Sequence, residues 1–183
     1  ELRHPGVVAY VAHGETGQGQ LYLAMEWLEG EDLARRLARG PVSVDEAVLL
    51  LRRTAEALEA AHRVGIVHRD LKPHNLFLRD GAIDRVTILD FGVARRAMPL
   101  EALTHAGRLI GTPGYMAPEQ VRGDDGVGAS ADLFSLGCVI HECIAGAPPF
   151  AGEHVAAVLA RILFEDPRSL RSLVPPPPDA VCE

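Results

Sequence analysis

A chain of 183 residues and 19.7 kDa, 48% hydrophobic and 23% charged with a mean hydropathy of +0.08, has the apolar content of one well-filled core, which excludes a disordered or collagen-like polymer. Its formal charge of −7 and pI near 5.6 give no reason to expect nucleic acid or an anionic membrane surface as partner, since both need clustered Lys and Arg. Cys138, Cys143 and Cys182 form no metal-spaced set, and no apolar run approaches the roughly 20 residues of a membrane span, so a reducing, cytoplasmic setting with no membrane contact from this segment is expected.

In chain order, Gly6 to His13 and Leu21 to Leu28 are β-branched and apolar runs, and the Glu15-Thr-Gly-Gln-Gly-Gln20 stretch between them is turn chemistry; together they predict a β-hairpin. Ser43 and Glu46 form a capping box ahead of Ala47, Leu50, Leu51, Ala55, Leu58 and Ala61 at helical spacing, predicting a core-packed helix that ends near Val64. Leu76 to Leu78 and Val86 to Leu89 flank a polar turn at Asp80-Gly81 and predict a second, smaller hairpin. Residues 93–116 show no sustained period, and long irregular segments inside a compact domain are usually functional or disordered. A strongly apolar helix is predicted from Ser130 to Ala145, buried on most sides, and another from Glu153 to Phe164, ahead of the Pro175 to Pro178 run.

The densest chemical signal is His68-Arg-Asp-Leu-Lys-Pro-His-Asn75. Moving a phosphoryl group to a hydroxyl needs a carboxylate near the attacking oxygen, a cation near the transferring phosphate, and oxygen ligands for magnesium. Asp70, Lys72 and Asn75 supply these within six residues, and Lys72 is the single lysine beside seventeen arginines. A lone loop Asp is mostly a turn or cap residue, but that bland reading does not cover the octapeptide. Fifteen residues on, Asp90-Phe-Gly92 places a carboxylate at the end of a predicted strand, where a metal could bridge phosphate oxygens. Gly111-Thr-Pro-Gly-Tyr-Met116 and Ala117-Pro-Glu119 then close the irregular segment. The motifs constrain one another by their order.

This series resembles that of the eukaryotic-like protein kinases. Lys72 and Gly111-Thr112 resemble the serine/threonine branch, and the wording from Gly111 to Gln120 is similar to that of bacterial members. The resemblance implies an α+β, protein-kinase-like fold, mostly the helical C-terminal lobe with the last two strands of the N-terminal lobe. It implies ATP and Mg2+ as cofactors and a protein substrate with a Ser/Thr acceptor. Asp70 would orient and deprotonate the hydroxyl, Lys72 would steady the γ-phosphate, and Asn75 and Asp90 would hold magnesium. Met25 would back the adenine pocket, Glu26 and Leu28 would offer it main-chain hydrogen bonds, Asp32 would face the ribose, and Phe77 would lie under the base. Trp27 is read as a packing residue facing away from the nucleotide. His68 and Phe91 belong, on this reading, to a buried stack linking the lobes, and Asp132 anchors the catalytic-loop backbone. Arg69 would be offset by a phosphate on Thr104, the one hydroxyl between Val93 and Ile110, and self-association would deliver that phosphate; at Thr104 the bland reading is a plain polar loop residue. Thr112 would bridge Asp70 and Lys72, and Glu119 would pair with an arginine near the domain's end, a role for which Arg161, Arg168 and Arg171 come too early.

The pattern also departs from the family. Gly14, Gly17 and Gly19 fit a hairpin turn and not a phosphate-covering loop, and with Lys72 committed no lysine remains for the small-lobe strand. The sequence therefore reads as an internal piece of a kinase domain, residues 1–28 ending the small lobe and hinge, 29–183 forming most of the large lobe. Marginal solubility is expected of it alone. A catalytically inactive kinase-fold binding protein is the alternative, against which the intact Asp70, Asn75 and Asp90 count; a small-molecule kinase is disfavoured by Lys72 and Ala117-Pro-Glu119.

Overall fold

The computed structural model describes residues 2–91 and 113–172. Its first element is the predicted hairpin, β1 (Tyr10–Glu15) and β2 (Leu21–Met25), paired antiparallel with Ala12 opposite Ala24 and Glu15 opposite Leu21. The Thr16 hydroxyl accepts the N–H groups of Gln18 and Gln20 at 3.3 and 3.2 Å, which folds the turn back on itself. The predicted first strand splits. Residues 6–8 leave the hairpin, and Val7 makes a parallel bridge to Ile88, flanked by bonds from Ile88 N to Gly6 O (2.8 Å) and from Val8 N to Ile88 O (3.0 Å). Tyr10, Val11, Leu21, Tyr22 and Leu23 remain exposed on the hairpin.

The second hairpin forms as predicted in kind, and a further strand joins it. β3 (Gly30–Asp32), β4 (Leu76–Arg79) and β5 (Val86–Ile88) make an antiparallel sheet in that order. Asp80 and Gly81 take φ of 53° and 71° in the turn that leaves β4, a region glycine enters at no cost and aspartate tolerates. Asp32 then serves as N-cap of α1 (Leu33–Leu37), its Oδ1 accepting the N–H of Arg35 at 2.8 Å.

α2 (Val44–Arg63) begins at the predicted capping box: Ser43 Oγ accepts the Glu46 N–H, and the Glu46 carboxylate accepts the Ser43 N–H. Its buried stripe is Ala47, Leu50, Thr54, Ala57, Leu58 and Ala61, while Leu51 is exposed and Ala55 half-buried. The predicted face was thus rotated by part of a turn, because 47, 50, 54, 57, 58 and 61 define the centre of the 3.6-residue stripe and 51 and 55 its flank. After the short α3 (Pro118–Arg122), the apolar helix α4 (Ala129–Ala145) packs against α2, and α5 (Val155–Phe164) comes next. Leu50, Leu58, Leu71, Leu76, Leu78, Ile88, Leu136 and Val139 are fully enclosed where α2, α4 and the second sheet meet. This mixture of helices and small antiparallel sheets is the α+β class expected.

Candidate active site

The segment between α2 and β4 is fixed by one buried carboxylate. Asp132, in the first turn of α4, has no solvent exposure. Its Oδ2 accepts the His68 N–H at 2.8 Å and faces His62 Nε2 at 2.7 Å, and its Oδ1 accepts the Arg69 N–H at 2.7 Å. Such an acid would be costly to bury without partners; three donors satisfy it. Gln120 holds the next carbonyl, its Nε2 donating to Arg69 O at 2.8 Å while its Oε1 accepts the Ala117 N–H at 2.9 Å. Arg69 therefore has both peptide groups pinned, which retains it at φ 63°, a left-handed conformation costing on the order of 1 kcal/mol. Its Nε is buried with no hydrogen-bond partner among the described residues.

That pinning delivers the next residue, Asp70, half-buried. Lys72 Nζ donates to Asp70 Oδ2 at 2.8 Å, and Asn75 Nδ2 donates to Asp70 O at 2.8 Å across the 3-10 turn Pro73–Asn75. Leu89 N donates to Asn75 O at 2.8 Å, so the end of β5 is tied to the loop and Asp90 comes after it at φ 48°. His68 ties the same two segments from within. Its Nε2 donates to Leu89 O at 2.9 Å and its Nδ1 accepts the Asp70 N–H at 3.2 Å, an assignment that requires the neutral ring. Burial holds the His68 pKa below its ordinary value, outweighing the Leu89 carbonyl and the charges of Asp132, Asp70 and Asp90. Phe91 meets the ring edge-on, centroids 5.1 Å apart. Asp70, Lys72 and Asn75 are thus joined within one loop, and the backbone leading to Asp90 is bonded to that loop at Asn75 and His68.

The connection from β2 to β3 carries the residues expected to meet the adenine. Glu26 N–H donates to Ala9 O at 2.9 Å, so the main-chain group Glu26 can offer a base is its carbonyl. The Glu26 carboxylate accepts the Ala9 N–H at 2.8 Å and Arg79 Nη2 at 2.7 Å. Met25 is partly exposed at the end of β2, and Leu28 and Phe77 are half-buried. Trp27 is 89% exposed, so the packing expected of it is not found; it faces solvent. Phe77 stands opposite Asp32 in the ladder, and the Asp32 Oδ1 is occupied as the α1 cap. Glu119 accepts from Ser130 Oγ at 3.2 Å. Thr104 and Thr112 lie outside the described residues.

His62, Gln120 and Arg79 were not singled out from the sequence. A histidine and a glutamine at helix ends look like ordinary surface polar groups, and their contacts span 70 and 51 residues. Among the described residues the two cysteines are poor nucleophiles: Cys138 and Cys143 are buried, and burial pushes both thiols up to about 12. Among the described residues no cluster of three or more His, Cys, Asp or Glu is placed to hold a metal, and no helix is long and apolar enough to cross a membrane.

A family model described as the protein kinase domain matches residues 1–175. The chain belongs to that family. It is 38% identical over 170 residues to the serine/threonine-protein kinase PknB of Mycobacterium leprae, covering 91% of this chain and 27% of that protein. It is 40% identical over 185 residues to PknH of Mycobacterium bovis, covering 98% of this chain and 30% of the relative, and 39% identical to PknD of Mycobacterium tuberculosis, covering 98% and 27%. The chain spans less than a third of these serine/threonine-protein kinases. In this kinase domain the family read from three motifs and the family found by comparison are the same.

Proposed function

We propose that this kinase domain transfers the γ-phosphate of ATP to Ser and Thr hydroxyls of a protein substrate in the cytoplasm. The observation that carries the reading is the Asp70 carboxylate, held by a doubly pinned Arg69 on one side and by Lys72 at 2.8 Å on the other. In the step proposed, the substrate oxygen bonds to the γ-phosphorus as the bond to the β,γ-bridging oxygen breaks. ADP leaves, and the hydroxyl proton passes to Asp70. Lys72 places its ammonium beside the transferring group. Asn75 and Asp90 are two oxygen donors, and magnesium commonly rests on one or two protein ligands with phosphate oxygens and water completing its shell, so the donor set fits. When bound, that ion would neutralise charge on the phosphates. Met25, the Glu26 carbonyl, Leu28 and Phe77 would enclose the adenine and Asp32 would face the ribose. Thr104 is proposed as the activating acceptor, phosphorylated by a second copy, with Thr112 and Glu119 completing the substrate-side segment. Residues 1–28 are assigned to the small lobe and hinge, 29–183 to the large lobe.

The test is phosphotransfer by the full-length protein to an unstructured Ser/Thr-rich protein with ATP and magnesium, read by mass spectrometry. Asp70→Asn should lower kcat by about 10²- to 10⁴-fold, the range for a lost general base, and Asp90→Ala should abolish transfer. Undiminished transfer in a folded Asp70→Asn protein would sink the assignment; a wild type that binds ATP and never transfers would favour the binding-only alternative.

A further inference from the structure

The strand that carries Phe77 carries a second side chain on the same face. Along β4, Leu76 and Leu78 are buried while Phe77 and Arg79 are half-buried on the other side, following the two-residue period. Arg79 spreads its guanidinium over two acceptors: Nε donates to Thr87 Oγ1 at 2.8 Å and Nη2 to Glu26 Oε1 at 2.7 Å. Thr87 has no solvent exposure, so the fork is anchored inside the second sheet. Glu26 Oε1 in turn accepts the Ala9 N–H, while the Glu26 N–H donates to Ala9 O. The other end of the same connection is held by the same strand end. Arg79 is the ladder partner of Gly30, and Asp80 N donates to Glu29 O at 2.9 Å. A Cβ on Gly30, at φ 138°, would lie 2.0 Å from Leu78 O, so that end has no slack. Glu26 to Gly30 is therefore clamped at both ends by Arg79 and its neighbour.

We propose that Arg79 is a positioning residue for the nucleotide base. By fixing the Glu26 carboxylate it fixes the orientation of the peptide groups from Glu26 to Leu28, and through them base affinity and discrimination. This inference rests on the kinase reading above. An arginine is required, because a planar fork serves the Thr87 hydroxyl and the carboxylate at once, whereas a lysine ammonium is a single point charge. The pair is half-exposed, side chains 27% and 29% accessible, so its contribution to stability is modest and its effect is read in binding.

The experiment is steady-state kinetics of the full-length protein with ATP and with GTP, beside titration of a methylanthraniloyl ADP, for Arg79→Met, Arg79→Lys, Glu26→Gln and the Glu26→Gln/Arg79→Met pair. Arg79→Met should raise KM for ATP and Kd for the analogue about 5- to 20-fold, lower kcat less than about twofold, and narrow the preference for ATP over GTP. Arg79→Lys should recover part of the loss, and the double variant should be no worse than Arg79→Met alone. If Arg79→Met does not fold, Thr87→Val, which removes the anchor, is judged by the same criteria. Unchanged KM and Kd in a folded variant, or a change confined to kcat in either direction, would overturn the proposal while leaving the kinase reading intact. A wild type that binds no nucleotide would overturn both.

Discussion

Three donors converge on Asp132 inside the molecule, so its removal should be felt twice, in stability and in the loop it holds. Asp132→Ala leaves the His68 and Arg69 N–H groups buried and unpaired, and we expect a loss of about 3 kcal/mol in urea unfolding, with phosphotransfer falling further than the folded fraction does. His68 gives a pH dependence. Its native pKa is depressed, so below the ordinary value of 6.5 the unfolded chain binds a proton that the native chain refuses. Stability should then fall as pH drops through that value, by at most about 1.4 kcal/mol per pH unit, until the native ring also protonates. His68→Phe should remove that part of the slope; the same slope in both proteins would assign it elsewhere. At this scale the sequence was legible where the chemistry is contiguous, as from His68 to Asn75. It was silent where partners are distant: nothing in the local spelling marks His62 as the residue facing Asp132, or Gln120 as the one holding the Arg69 carbonyl.

Among the elements, α2 could be read because its start is written in a capping box and its length in a repeated stripe, whereas β3 and α1 are three and five residues long and have no period to show. They exist because β4 offers a ladder partner to Gly30–Asp32 and because Asp32 then caps α1. Gly30 is the residue on which that pairing turns, and it looked like any loop glycine. Gly30→Ala forces a side chain into the Leu78 carbonyl at an unfavourable φ. It should cost about 3 kcal/mol in thermal or urea unfolding, and a stable, unshifted variant would show that β3 pairs some other way in solution. The split of the first strand has the same origin. Residues 6–8 are as β-prone as those after them, and the choice between neighbouring sheets is made by Ile88, which no local pattern announces.

Across the whole molecule, the two sheets differ in how much core stands behind them. The second sheet closes over Leu76, Leu78 and Ile88, all fully buried, whereas the β1–β2 hairpin leaves Leu21 86% and Val11 62% exposed. Native-state hydrogen exchange should therefore find the amides of β1 and β2 opening at lower free energy than those of α2 and α4, and equal protection across the chain would contradict this ordering. The charge inventory has a practical consequence. With seventeen arginines and one lysine among these 183 residues, the sole ε-amine of this stretch is the one drawn against Asp70, so any acyl group found on a lysine within it marks the site. Acylation of the Lys72 peptide, read after digestion, would then report access to the Asp70 carboxylate without any substrate in hand.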